Sequence, residues 1–119
     1  MPTADVCAIF HNPRCSKSRA ALTLLREHGV EPRVIEYLKM PPSDAELKAI
    51  LRKLGMKAGQ IVRTGEELYQ THFAGKKLTD AQLIAAMVDN PILIERPIVV
   101  LGKRAVLGRP PENVLQLLD

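Results

Sequence analysis

Tryptophan is absent from this chain, and its aromatic residues are two phenylalanines and two tyrosines. A protein that stacks bases on aromatic platforms needs more than Phe10, Phe73, Tyr37 and Tyr69, so a nucleic-acid partner is not expected. No apolar run is long enough to span a bilayer, and no secretory segment is recognisable. Cysteine is scarce as well. Cys7 and Cys15, eight apart, form neither a CxxC pair nor a disulfide framework. These absences predict a soluble cytoplasmic protein without a membrane partner. At 119 residues the chain fits one domain, large enough to bury a core without covalent staples.

Acidic residues are missing from two windows. None lies between Asp5 and Glu27, which enclose Arg14, Lys17, Arg19 and Arg26. None lies between Glu95 and Glu112, which enclose Arg96, Lys103, Arg104 and Arg109. The net charge is +4, so the rest of the chain carries −4. Two compact basic windows suit a small anion pocket better than an extended polyanion surface, provided folding joins them. The spacing Cys7-x3-His11-x3-Cys15 can be read as three metal ligands. A strand and a helix start would point them apart and no fourth ligand is evident, so no metal is expected.

The stretch around which the chain is organised is His11-Asn12-Pro13-Arg14-Cys15-Ser16-Lys17-Ser18-Arg19. The apolar run Val6 to Phe10 reads as a central strand, and Leu22 and Leu25 continue a helical pattern beyond it. The stretch is therefore a strand-to-helix corner, with Asn12-Pro13 as the turn and Ser16 or Ser18 available to satisfy free amides of the first helical turn. Cys15 falls where amides point outward and the helix dipole is positive, a place that favours an anion. Arg19 lies one helical turn from it. His11 is placed to hold the corner or to tune the cysteine, the structural part being favoured. Cys7 reads as a packed strand residue.

Further along, Gly29 is placed to close the first helix and Val34-Ile35-Glu36-Tyr37 reads as a second strand, giving a β-α-β unit. Ser43-Asp44-Ala45-Glu46 has the form of a capping box, with Leu47, Ile50, Leu51 and Leu54 as its stripe and Gly55 at the end. Between Met56 and Asn90 a helical insert is expected. It comprises short helices at Gln60 to Arg63 and Glu66 to Phe73, then a second capping box at Thr79-Asp80-Ala81-Gln82 with a stripe of Leu83, Ile84, Met87 and Val88. Ile98 to Leu101 and Arg104 to Leu107 form a hairpin about Gly102-Lys103. Pro110-Pro111 opens a last helix with Val114, Leu115 and Leu118 buried.

The order β-α-β, insert, β-β-α, with a cysteine at the first corner and Pro97 before the third strand, predicts a thioredoxin-like α/β fold. It would have a four-stranded mixed sheet in one domain over 1–119, with the insert at about 56–90. The chain resembles the glutaredoxin-coupled arsenate reductase family in its short bacterial form. The resemblance rests on His11-x3-Cys15-x3-Arg19, on the segment from Val88 through Asp89-Asn90-Pro91-Ile92-Leu93-Ile94-Glu95-Arg96-Pro97 to Val100, and on Gly108-Arg109-Pro110. Better-known members carry Gly-Thr-Ser after the cysteine, where this chain has Ser16-Lys17-Ser18.

The resemblance implies that Cys15 is the nucleophile and that Arg63, Arg96 and Arg109 bind the oxyanion. His11, Ser18, Arg19 and a cis-Pro97 support them. It implies arsenate or a related oxyanion as substrate, glutathione as co-substrate, glutaredoxin as partner, no bound cofactor, and a monomer. A guanidinium fork suits a tetrahedral oxyanion as an ammonium does not. Two other readings remain open. One is a non-enzymatic thioredoxin-fold regulator binding RNA polymerase, though Ser18 stands where its redox-sensing members carry a second cysteine. The other is a glutathione-dependent thiol-disulfide reductase without arsenate activity.

Overall fold

The apolar run after Asp5 becomes strand β1, Cys7–Phe10, in the computed structural model of the chain, which describes residues 6–118. Backbone contacts divide the chain into two compact units, Met1–Met40 with Arg96–Asp119, and Pro41–Glu95. The helical part therefore begins earlier than the expected insert and takes in the Ser43 helix.

In the first unit β1 runs parallel to β2, Arg33–Ile35, and antiparallel to β3, Ile98–Leu101. β3 pairs antiparallel with β4, Arg104–Leu107, so the sheet order is β2-β1-β3-β4. With helix α1, Ser16–Glu27, between the first two strands, this is the thioredoxin-like arrangement. Alternation along the strands sends Cys7, Ile9 and Val99 to one face, where they meet Ala21, Leu22 and Leu25 of α1. Gly29, at φ 81°, closes α1 as expected: its amide reaches Arg26 O and that of Val30 reaches Leu25 O. This pair of bonds is the Schellman closure.

Two elements differ from the expected ones. β2 stops at Ile35 because the Glu36 carbonyl accepts from the amides of both Lys39 and Met40, which turns the chain out of the sheet. Tyr37 is buried in that turn and not in a strand. The C-terminal segment Pro111–Leu118 is a 3-10 helix and not an α-helix. Its buried side chains are Val114 and Leu117, three apart as three residues per turn require, with Leu115 and Leu118 only half-buried. Arg104 caps its end, donating to Leu117 O at 2.8 Å.

In the second unit both capping boxes form. Ser43 opens α2, Asp44–Leu54, and Thr79 opens α4, Asp80–Asp89; α3 is Glu67–His72. The expected helix at Gln60 to Arg63 is absent. A 3-10 turn covers Ala58–Gln60, and two residues on, Val62 forms a bridge with Ile94. Long-range pairing with Leu93 and Glu95 outweighs the local helical pattern.

Candidate active site

The site is built from three chain segments that meet at one end of the sheet. Phe10 pairs with Ile98, and Ile98 with Leu107. One residue further in each antiparallel register, His11, Pro97 and Gly108 stand side by side. Hydrogen bonds agree: Gly108 N donates to Pro97 O at 2.9 Å, and Arg109 Nη1 donates to Arg96 O at 3.1 Å. The same end of the sheet thus carries the His11–Cys15 loop, Arg96 and Arg109. Folding brings part of each basic window there, while Lys103 and Arg104, beside the β3–β4 turn, lie at the opposite end of the sheet.

Asn12 shapes the corner. Its carbonyl accepts from Cys15 N at 3.0 Å, its Oδ1 accepts from Arg14 N at 3.0 Å, and its amide donates to Ser18 Oγ at 3.0 Å. This is the local turn chemistry for which asparagine is suited. Cys15 is the N-cap of α1, in extended conformation and half-buried, and no side chain caps the turn. The first helix bond runs from Arg19 N to Cys15 O, so the amides of Ser16, Lys17 and Ser18 open toward the space beside the sulfur. Ser18 was expected as a possible cap for these amides. It turns inward instead, fully buried, with Oγ 2.7 Å from His11 Nδ1.

His11 is itself buried, and its amide donates to Ile35 O at 2.8 Å. Burial pushes its pKa below the ordinary 6.5; Glu36 pulls it back up, while Arg26 and Arg19 add to the lowering. A neutral imidazole follows at neutral pH. The guanidinium of Arg19 binds Pro13 O at 2.9 Å and so ties the helix back to the turn. Cys7 is buried in β1, and burial raises its thiol above 9.0. Of the two thiols in this unit, that of Cys7 is buried and that of Cys15 half-buried.

The peptide bonds Arg96-Pro97 and Arg109-Pro110 are both cis. The first matches expectation and the second was not foreseen. Arg96 Nε and Nη1 are buried. Sequence reading also passed over Asn113, whose Nδ2 donates to Leu107 O at 3.2 Å and Arg109 O at 3.1 Å and so fixes the loop that carries Arg109. An asparagine two residues past a diproline was the available signal. Arg63 belongs to the second unit, where it pairs with Glu66 and Glu95. Among the described residues no group of three His, Cys, Asp or Glu side chains could hold a metal ion, and no helix is long and apolar enough to cross a membrane.

Comparison with known proteins finds the same pattern elsewhere. The model of the ArsC family matches residues 10–117. An arsenate reductase of Neisseria meningitidis is 46% identical over 112 residues, covering 92% of this chain and 96% of that protein. The Escherichia coli K12 protein YfgD, named as uncharacterized, is 52% identical over 92% of this chain and 94% of its own length. Among solved structures, an arsenate reductase from Vibrio cholerae superposes with a TM-score of 0.91 at 47% identity, covering 96% of this chain and 98% of that one.

Proposed function

Because the chain belongs to the ArsC family, we propose that it is an oxidoreductase that reduces arsenate, or a related tetrahedral oxyanion, through an adduct on Cys15. The observation that carries this reading is the position of Cys15. It caps a helix whose first turn no side chain satisfies, at the sheet end that also bears Arg96 and Arg109. Outward amides supply donors for an oxyanion, and the helix dipole favours its charge.

In the first step the Cys15 sulfur bonds to arsenic and one arsenate oxygen leaves as water, taking the thiol proton and one from solvent or the oxyanion. Arsenic stays pentavalent. The obstacle is a sulfur nucleophile meeting an anion, and guanidinium groups of Arg96 and Arg109 offset that repulsion while fixing the oxygens. In the second step a glutathione thiolate attacks the Cys15 sulfur. A sulfur–sulfur bond forms, the sulfur–arsenic bond breaks, and its electron pair stays on arsenic. Arsenite leaves and Cys15 remains as a mixed disulfide with glutathione. A glutaredoxin thiol then removes the glutathione by exchange and restores Cys15. The neutral His11 and Ser18 hold the corner in shape and carry no proton in this scheme. The cytoplasm, where glutathione keeps thiols reduced, is the fitting compartment.

The test is arsenite production by purified protein with arsenate, glutathione and glutaredoxin, omitting each in turn. Turnover that needs all three supports the reading. Reduction of a glutathione disulfide with no arsenite formed would favour the thiol-disulfide reductase. Neither reaction, in a folded protein, would favour a binding role.

A further inference from the structure

The loop that carries Arg109 is poor in groups that could hold it in place. It leaves β4 at Leu107 and runs through Gly108, Arg109 and Pro110 to Pro111, where the C-terminal 3-10 helix begins. Proline has no amide hydrogen, so between β4 and Glu112 only Gly108 and Arg109 can donate from the backbone. Gly108 N is already engaged with Pro97 O at 2.9 Å. The carbonyls of the loop still require partners. Asn113 supplies them: Nδ2 donates to Leu107 O at 3.2 Å and to Arg109 O at 3.1 Å, and its amide donates to Pro110 O at 3.0 Å. Both hydrogens of the side-chain amide are thus used on the two sides of Arg109.

Asn113 has a firm base from which to do this. The next residue, Val114, is fully buried, and with Leu117 it packs in the core formed by Cys7 and Ile9 of β1 and Ala21, Leu22 and Leu25 of α1. At the other end of the chain of contacts, Arg109 Nη1 reaches Arg96 O at 3.1 Å. A guanidinium on a long side chain follows any rotation of its own backbone, so whatever fixes the Arg109 backbone also fixes where the fork lies. We propose that Asn113 is a positioning residue of the oxyanion site: it passes the fixed position of the buried 3-10 helix to Arg109, and so sets where that guanidinium meets the oxyanion. This rests on the reading above, in which Arg109 holds the substrate. A purely structural role would cost stability and leave the site as it is.

Asn113→Leu keeps the size of the side chain and removes both donors without changing the charge. The probe is inorganic sulfate at constant ionic strength, measured by protection of Cys15 from iodoacetamide, so this arm needs no turnover. Expected is a loss of sulfate affinity on the order of tenfold in Asn113→Leu, as small misplacements of a positioned group produce. Arg109→Gln should lose at least as much. The double variant should bind sulfate no worse than Arg109→Gln alone, because Asn113 acts only through Arg109. If the leucine variant fails to fold, Asn113→Ser is read in the same way. Its short hydroxyl has one hydrogen to give, so it can keep at most one of the two bonds and should show a smaller loss of the same kind. Wild-type sulfate affinity in a folded Asn113 variant whose stability has fallen would leave Asn113 a structural residue and overturn the proposal. Losses that multiply in the double variant would overturn it too, since Asn113 would then act by a route other than Arg109. Wild-type affinity in Arg109→Gln would remove the Arg109 clamp itself, and the proposal with it. Arsenate turnover is assayed alongside. Its absence from wild type with the sulfate pattern intact rejects the reductase reading alone, whereas normal turnover with unchanged sulfate binding in the Asn113 variants rejects the positioning role alone.

Discussion

The hydroxyl of Ser18 lies 2.7 Å from Nδ1 of His11, and neither side chain is open to solvent. The same oxygen accepts the Asn12 amide, so one hydroxyl closes the loop between the end of β1 and the first turn of α1. Ser18→Ala leaves a buried imidazole nitrogen and a backbone amide without that partner. The expected loss is about 1–3 kcal/mol of stability, the desolvation cost of a buried group left unsatisfied. Urea denaturation of the variant against wild type measures it, and an unchanged midpoint would show that the pair contributes nothing.

His11 also predicts how stability varies with pH. Its folded pKa lies below the unfolded value near 6.5, chiefly because burial penalises the imidazolium. Above that value both states hold the neutral ring and nothing is lost. As pH falls through it, the unfolded chain takes up a proton that the folded chain resists, so stability declines toward acid. His11→Asn keeps a polar partner for Ser18 and removes the titration. Denaturation curves from about pH 8 to about pH 5 should show a shallower decline in the variant. Parallel declines would assign the acid sensitivity elsewhere.

Gly108 illustrates a constraint that no pattern of hydrophobicity reveals. A Cβ on it would lie 2.8 Å from Pro97 Cγ and 3.3 Å from both Ala21 Cβ and Val114 Cγ1. None of these atoms is the end of a flexible side chain, so something must move. Gly108→Ala should cost about 1–3 kcal/mol, as overpacking does, and should disturb Pro97 beside the site. Thermal denaturation and turnover are the measurements. A variant as stable and as active as wild type would mean that the corner gives way easily.

How far such features can be read from the chain depends on the range of the interaction. Both capping boxes, the Gly29 and Gly55 closures and the β3–β4 hairpin were legible, because each depends on residues within a few positions. Ile61 to Arg63 was misread as helix, because its pairing partners lie about thirty positions later. Ser18 was assigned by proximity to the helix amides next to it, whereas its actual partner is a side chain seven positions back, met only once β1 and α1 fold together. The family resemblance named Arg96 and Arg109 together; that they stand at the same end of the sheet as Cys15 depends on the register of β3 between β1 and β4, which the charge windows alone did not give.

Arg109 does two things at once, and its substitution should show both. Its Nη1 donates to Arg96 O, so loss of the fork loosens Arg96 as well as removing a donor from the pocket. Arg109→Lys keeps the charge but should lower turnover by roughly tenfold or more, the scale on which small misplacements of positioned groups act. Arg96→Lys should do the same through loss of bidentate binding. Sulfate should protect Cys15 from alkylation less well in both. Wild-type kinetics in the lysine variants would reduce the clamp to general electropositivity.

The last prediction concerns the second thiol that a two-electron reduction needs. Cys15 supplies one thiol, and the only other in the sequence is that of Cys7. β1 runs from Cys7 to Phe10 before the corner is reached, a rise of about 10 Å at some 3.3 Å per residue. Cys15 lies beyond that corner, at the start of α1, whereas Cys7 pairs with Leu101 at the far end of β3. A disulfide requires Cα atoms within about 7 Å, so the two sulfurs cannot join without dismantling the strand. Burial also holds the Cys7 thiol protonated, which makes it a poor nucleophile. In the proposed reaction the second thiol then comes from solution. Incubated with arsenate and glutathione but no glutaredoxin, the protein should gain one glutathione, located by mass spectrometry on Cys15. Cys15→Ser should gain none and lose turnover, while Cys7→Ala should gain one and keep turnover. Iodoacetamide should label Cys15 in the native protein and Cys7 only after unfolding. A Cys7–Cys15 disulfide in the native protein, with turnover that persists without glutathione, would place both electrons within the chain and rule out an external thiol.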